Sequence, residues 1–336
     1  MNFKPVQILS VGMSVPKTVI TNDDLTKILD TSDEWISTRT GIKQRHIASG
    51  DENSTLFGIN AAQDALKKAD IDGKDIDAII VASSNPYNIY PSTGCAIQEA
   101  IGAHNAIAFD ITVACTGMIY ALEIGRSMIS TGKYKNILLV ATDTNSKFLD
   151  WKDRGSCVLF GDGAGAILIS EAKDGVDDII ALNVNANGSM GKFISMNLVG
   201  DNCPLVEPAT TGQHKITMNG KEVYKFVVQT MPESIMTCLK DANLEPKDID
   251  YLVPHQANLR IIEGLQNRLE FNDDKVIVNI DKYGNTSAAS VPIALCEAIE
   301  AGKIKTPSYA ILCAFGAGMA WGSAVVRLRE GLNKKA

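Results

Sequence analysis

Three residues stand where the chain can do acyl chemistry: Cys115, His255 and Asn285. Cys115 lies in FDITVACTGMIYALEIGRSMISTG (109–132). A β-like run precedes it and a helical one follows, which puts the thiol at a strand-to-helix turn. Amides and the dipole at a helix N-terminus favour a thiolate, so a lowered pKa is expected there. A thiolate can take an acyl group from a thioester with little change in energy. Read alone, a cysteine in an apolar run fits a small core residue as well.

His255 lies in YLVPHQANLRII, after an apolar strand and before a helical stretch. A neutral imidazole there can donate through Nε2 to an oxyanion or enolate. It reads equally as a loop or helix-cap histidine. Asn285 lies in DKYGNTSAASVPIALCEAI. Its amide can donate to a developing oxyanion without titrating, although Gly-Asn-Thr-Ser is also the pattern of a turn with a helix cap. Gly316-Ala317-Gly318 is a glycine-flanked turn that either joins a hairpin or aims a backbone N–H at a thioester carbonyl. GDGAGA (161–166) has no following Lys-Ser/Thr, which argues against a phosphate loop. His46, His104 and His214 sit in polar surroundings and are expected at the surface.

The elements that must position these residues repeat. LKKADIDGKDIDAIIV (66–81) resembles LKDANLEPKDIDYLVP (239–254), and NILLVA (136–141) resembles YAILCA (309–314), both at a spacing of about 173 residues. FGDGAGAILIS (160–170) echoes FGAGMAWGSAVVRL (315–328). A spacing this long indicates a duplicated domain, with halves at 1–172 and 173–336. Each half predicts a helix, an acidic turn and a buried strand (Ala78–Ser83; Tyr251–His255). A long helix with a Gly-Lys end and another apolar strand follow. Alternating strands and helices imply layered α/β packing. A pseudo-twofold axis would gather equivalent loops. It places His255 opposite residue 82 and, with three extra residues allowed near Thr306–Ser308, makes Asn285 the counterpart of Cys115.

At 336 residues, 45% hydrophobic and 21% charged, the chain has ordinary globular composition. Its net charge of −7 argues against general nucleic-acid binding but permits a local basic patch. The seven cysteines are odd in number and contain no CxxC pair, so neither a disulfide framework nor a structural zinc site is expected. Free thiols suit a reducing cytoplasm. No signal-peptide core opens the sequence, and residues 310–326 read as strands and a turn, so no membrane association is expected.

Taken in order, these segments resemble the β-ketoacyl-acyl-carrier-protein synthase III family of thiolase-fold condensing enzymes. The resemblance rests on TSDEWISTRTGIKQRHIA (31–48), the Cys115 segment, DRGSCVLFGDGAGA (153–166), PHQANLRI (254–261), YGNTSAAS (283–290) and FGAGMAWGSA (315–324). It implies two βαβαβαββ halves in a five-layered α-β-α-β-α sandwich. It also implies that Cys115 takes an acyl group from acyl-CoA, with acetyl-CoA the expected primer. Malonyl-acyl-carrier protein then enters, and His255 and Asn285 stabilise the enolate left by decarboxylation. The N–H groups of Cys115 and Ala317 hold the second oxyanion, and Phe315 desolvates His255. CoA is a substrate, and neither cofactor nor metal is implied. Its tunnel falls on Thr31, Trp35, Arg39, Arg154, Gly220 and Asn258, with Trp35 and Arg154 sandwiching adenine. The carrier protein is expected on Gln256, Ala257, Asn258, Leu259 and Arg260, with Lys225 and Arg268 adding positive charge. The primer pocket involves Phe160 and a Tyr90 supplied across a homodimer interface. A secondary-metabolite starter enzyme with the same triad, and a non-catalytic relative, are the competing readings.

Overall fold

The apolar run Ile137–Ala141 is wholly buried, as a strand covered on both faces must be. Runs of this kind organise the chain. The computed structural model describes residues 3–198, 203, 205 and 215–333. The first half begins with β1 (Val6–Ser14). A ribbon of β2 (Val19–Thr21) and β3 (Gln44–His46) then encloses α1 (Asn22–Leu25) and α2 (Asp33–Thr40). It continues through α3 (Ser54–Ala69), β4 (Ala78–Ala82), α4 (Thr93–Ala100), β5 (Ile107–Ile111), α5 (Gly117–Ser130), β6 (Asn136–Thr144) and β7 (Asp162–Glu171). The second half holds β8 (Ile179–Ala186), the small pair β9 (Ile194–Ser195) and β10 (Thr217–Met218), and α6 (Gly220–Asp241). β11 (Tyr251–Pro254), α7 (Leu259–Leu269), α8 (Ile280–Tyr283), α9 (Ser290–Glu300), β12 (Ser308–Gly316) and β13 (Ala320–Leu328) complete it.

One sheet runs β1-β7-β6-β4-β5 and the other β11-β12-β13-β8. β4 is parallel to β5 and β6, and β11 to β12; the outer pairs are antiparallel. α3 covers the outer face of the first sheet, α6 covers that of the second, and α5 and α9 lie between the sheets. The result is the five-layered α-β-α-β-α sandwich. Both long central helices end as expected, with Gly132 and Gly302 in the left-handed region just past the last turn.

The structure departs from the expected repeat in two ways. The second half lacks a full third strand: Val276 makes only an isolated bridge to Leu252. Just beyond it, Gln256 Oε1 accepts the Asn279 and Ile280 N–H groups. The proposed counterpart of Cys115 is also three residues off. The left-handed turn residue Ala114 (φ 44°) corresponds to Ser287 (φ 55°), each opening a 3₁₀ turn before a central helix. Ala288 therefore matches Cys115, and Asn285 lies upstream of that turn. The three extra residues near Thr306–Ser308 are absent, because β6 and β12 begin at nearly the same spacing as β4 and β11.

Candidate active site

Cys115 occupies the 3₁₀ turn Ala114–Thr116 between β5 and α5 and is half-buried. Thr116 ties the turn to β13 by donating from Oγ1 to the Ala320 carbonyl at 3.0 Å. Gly316, at the end of β12, presses against the cysteine. A Cβ built there would lie 2.8 Å from the Cys115 nitrogen and 3.1 Å from its Cβ, so only glycine fits. This contact brings the Ala317 backbone beside the thiol. Burial pushes the Cys115 thiol up to about 12, with a hydrogen bond from Ser287 opposing it. That corrects the expected lowering: the helix entrance favours a thiolate, but removal from water dominates. The Cys115 side chain rests as a neutral thiol.

His255 follows β11, its N–H donating to the Cys313 carbonyl at 2.7 Å. It is 2% exposed. Phe315 meets its ring edge-on at 5.2 Å, and burial pulls its pKa down to about 3. The imidazole is therefore neutral. Its Nδ1 lies 2.6 Å from the Ser290 hydroxyl, which also receives the Gln256 N–H at 3.4 Å. With that N–H accepted, the hydroxyl can donate its own proton to Nδ1, the arrangement in which Nε2 carries the imidazole proton.

Asn285 is pinned by its backbone. Its N–H donates to the Leu159 carbonyl at 2.8 Å, and its carbonyl accepts the Gly161 N–H at 3.0 Å. Oδ1 accepts the Ser287 N–H at 2.8 Å, which leaves Nδ2 as the donor end of the amide. Cys115, His255, Asn285, Phe315, Gly316 and Ala317 line one cavity of about 610 Å³.

The same cavity takes in Trp35, Arg39, Gly220, Ala257, Asn258, Arg260 and Phe160. Arg39 and Arg154 hold their guanidinium carbons 4.6 and 5.0 Å from the Trp35 ring centre, and the Asp30 carbonyl anchors Arg154. Thr31 is not on the wall, and its Oγ1 is buried without a hydrogen-bond partner. Gln256 cannot meet a carrier protein. It is 1% exposed, and its amide also donates to the Pro254 and Ile277 carbonyls. Leu259 packs partly buried beside Gly41. Lys225 is exposed and paired with Glu222 at 2.7 Å. Arg268 sits at the far end of α7 and lines a separate groove with Lys247 and Lys275. Tyr90 is 86% exposed beside exposed Tyr87 and Ile89, away from the cavity wall.

His104 is exposed, as expected. His46 is only partly exposed: Nδ1 lies 2.6 Å from the Pro16 carbonyl, and its ring centre is 5.2 Å from that of Tyr283. His214 lies outside the described residues. All seven cysteines are free, and among the described residues no helix is long and apolar enough to cross a membrane. Asp64, Cys296 and Glu300 approach closely enough to hold a cation, but the Lys68 ammonium already bonds all three. Sequence reading missed Ser290 and Ser287, whose side chains meet His255 and Cys115 across dozens of residues or more. It also missed the apolar wall of Ile194, Met196, Ile216, Met218 and Val223, which carries no local motif.

Two family models match the chain. Residues 109–188 fit 3-oxoacyl-[acyl-carrier-protein (ACP)] synthase III, and residues 239–328 fit its C-terminal region. The chain is 45% identical to β-ketoacyl-[acyl-carrier-protein] synthase III of Clostridium perfringens, over 97% of this chain and 100% of that one. It superposes on the crystal structure of 3-oxoacyl-[acyl-carrier-protein] synthase III from Aquifex aeolicus with a TM-score of 0.88. That match has 43% identity and covers 96% and 100% of the two chains. The priming β-ketosynthase of a polyketide pathway superposes with a TM-score of 0.91 at 32% identity, covering 98% and 97%.

Proposed function

The chain belongs to the 3-oxoacyl-[acyl-carrier-protein] synthase III family, the condensing acyltransferases that initiate fatty-acid synthesis, and on that premise we propose how its residues divide the reaction. Cys115 attacks the thioester of an acyl-CoA. Its sulfur bonds to the acyl carbon, CoA leaves as a thiol, and the cysteine proton ends on CoA. One thioester replaces another, so the exchange is close to neutral in energy. Because the resting thiol is protonated, the proton departs as the carbon–sulfur bond forms. The observation that carries this reading is the meeting of Cys115, His255 and Asn285 on one cavity.

Malonyl-acyl-carrier protein then binds in place of CoA. As carbon dioxide leaves, the electron pair moves onto the thioester oxygen, and Nε2 of His255 and Nδ2 of Asn285 donate to it. Two neutral donors suit this step, which needs electrophilic stabilisation and no proton removal. The enolate carbon attacks acyl-Cys115. The Cys115 and Ala317 N–H groups hold the resulting oxyanion until sulfur departs as a thiolate, which takes a proton from solvent to restore the resting thiol and leaves 3-oxoacyl-carrier protein.

The arm of CoA runs past Trp35, Arg39, Gly220 and Asn258, and adenine inserts between Trp35 and Arg154, since an indole and a guanidinium plane both stack. Arg260 and Lys225 present positive charge at the mouth to an acidic carrier protein. The enzyme acts in the cytoplasm as a homodimer. The exposed run Tyr87, Ile89 and Tyr90 is the apolar surface that supports this. Tyr90 from the second subunit, with Phe160, closes a short primer pocket suited to acetyl-CoA. Intact-mass measurement after incubation with acyl-CoAs of graded length tests both parts. Acylation of the wild type but not of Cys115→Ser is expected, as is faster acylation from acetyl-CoA than from long or branched primers. Preference for a branched primer would refute the short pocket, and acylation at another residue would refute Cys115.

A further inference from the structure

Arg45 is fully buried, and no carboxylate among the described residues pairs with it. Burial pulls its guanidinium down to about 10, so it stays protonated at neutral pH. Nη2 donates to the Val158 carbonyl at 2.8 Å. Nη1 donates to the Ile20 carbonyl at 3.2 Å and to Asn22 Oδ1 at 2.9 Å. Asn22 in turn donates from Nδ2 to Asp33 and to the Ile42 carbonyl, each at 2.7 Å. A buried charge met only by neutral acceptors, with its Nε left unpartnered, is costly for the fold. Met or Leu would fill similar space without that cost, so what the guanidinium holds in place is informative.

It holds the backbone that carries Asn285. The carbonyl gripped by Nη2 belongs to Val158, and the next residues, Leu159 and Gly161, make both backbone hydrogen bonds to Asn285. The two segments cross against the arginine itself. A Cβ on Gly161 would meet the Tyr283 carbonyl at 2.1 Å and the Arg45 Cβ at 3.3 Å. A Cβ on Gly284, in the left-handed region at φ +64°, would meet the Leu159 carbonyl at 3.0 Å and the Arg45 Cβ at 3.4 Å. Arg45 thus forms the floor of the crossing, and through Asn22 the same guanidinium braces the first turn of α2, which carries Trp35 and Arg39. Cys115 is held chiefly by β5, α5 and the Gly316 turn, and meets the Asn285 segment through Ser287.

We propose that Arg45 is a positioning residue for Asn285, fixing the 158–161 segment so that the Asn285 amide stays aimed into the cavity. The proposal rests on the assignment of Asn285 to enolate stabilisation. It predicts a split between the half-reactions. A loosened Asn285 slows decarboxylation, whereas acylation of Cys115 does not use that amide.

The test measures acyl-enzyme formation by intact mass and, separately, carbon dioxide release from malonyl-carrier protein. Wild type, Arg45→Met, Arg45→Lys, Asn285→Ala and the Arg45→Met/Asn285→Ala double variant are compared. Arg45→Met is expected to slow decarboxylation about tenfold to a hundredfold, the scale of a misplaced catalytic group. Its acylation rate at saturating acyl-CoA, per folded molecule, should stay within about twofold, since Cys115 shares no hydrogen bond with the arginine, and any loosening of α2 acts only on KM for acyl-CoA. In the Asn285→Ala background the substitution should add nothing, because residues acting through one group are not additive. Equal loss in both half-reactions, or a loss that persists in full without the Asn285 amide, overturns the proposal. If Arg45→Met does not fold, Arg45→Lys decides by the same ratio, since one ammonium cannot reproduce the two-pronged grip. Asn285→Ala decarboxylating at the wild-type rate would instead overturn the role of Asn285, whatever Arg45 does.

Discussion

The Ser290 hydroxyl sits 2.6 Å from Nδ1 of His255 while accepting the Gln256 N–H. This pairing, and no local feature of the PHQANLRI segment, gives the ring a partner that can hold the imidazole proton on Nε2. Ser290→Ala removes the donor to a buried ring nitrogen and frees the other tautomer. Losing such an orienting partner costs about tenfold to a hundredfold. The expected result is a fall in condensation kcat of that size, with acylation of Cys115 by acyl-CoA little changed. Equal condensation rates for variant and wild type would show that the tautomer is fixed elsewhere.

His255 should not titrate in the working pH range. Its folded pKa lies near 3 against an ordinary 6.5, and burial is the cause. Between those values the unfolded chain binds a proton that the folded protein refuses. This group therefore makes stability fall as pH drops from about 6.5 toward 3, and takes nothing away at neutral pH. An NMR titration should find the His255 ring neutral down to about pH 4. A midpoint near 6.5 would mean that the ring is hydrated, contrary to its packing on Phe315.

Gly316→Ala places a methyl group 2.8 Å from the Cys115 nitrogen. Backbone on both sides leaves little room to yield, and overpacking of this sort costs about 1–3 kcal/mol. Acylation and condensation should both drop, because the cysteine and the Ala317 N–H move together. Thermal denaturation alongside acyl-enzyme kinetics checks this, and an unshifted melting point with full acylation would contradict it.

Trp35→Ala should act on CoA alone. Base stacking on an aromatic ring is worth about 1–3 kcal/mol, so KM for acyl-CoA should rise about tenfold or more. The rate of carbon dioxide release from malonyl-carrier protein should be unchanged. Steady-state kinetics with each substrate varied in turn makes the comparison. A rise in KM for malonyl-carrier protein instead would move adenine away from Trp35.

Much of this protein is written in its sequence. The repeat at a spacing of about 173 residues declares two halves, and strictly apolar runs such as Ile137–Ala141 declare strands buried on both faces. The glycines after α5 and α9 mark helix ends, and the ordered segments around Cys115, His255 and Asn285 declare the family. These are local or periodic properties, and side-chain type alone carries them. The sequence misled where the outcome depends on burial or on distant partners. The helix entrance promised an acidic Cys115, but packing around it raises the thiol to about 12. Asn285 passed for the symmetry mate of Cys115 until the left-handed residues Ala114 and Ser287 set the register at Ala288. Gln256, read as a docking residue, turned inward to cap Asn279 and Ile280. Only the tertiary structure placed Ser290 under His255 and Arg45 beneath the Asn285 crossing, because those contacts span 35 and more than 100 residues of chain. Desolvation and hydrogen bonding at such sites are set by what the fold brings together, and no stretch of neighbouring residues encodes that.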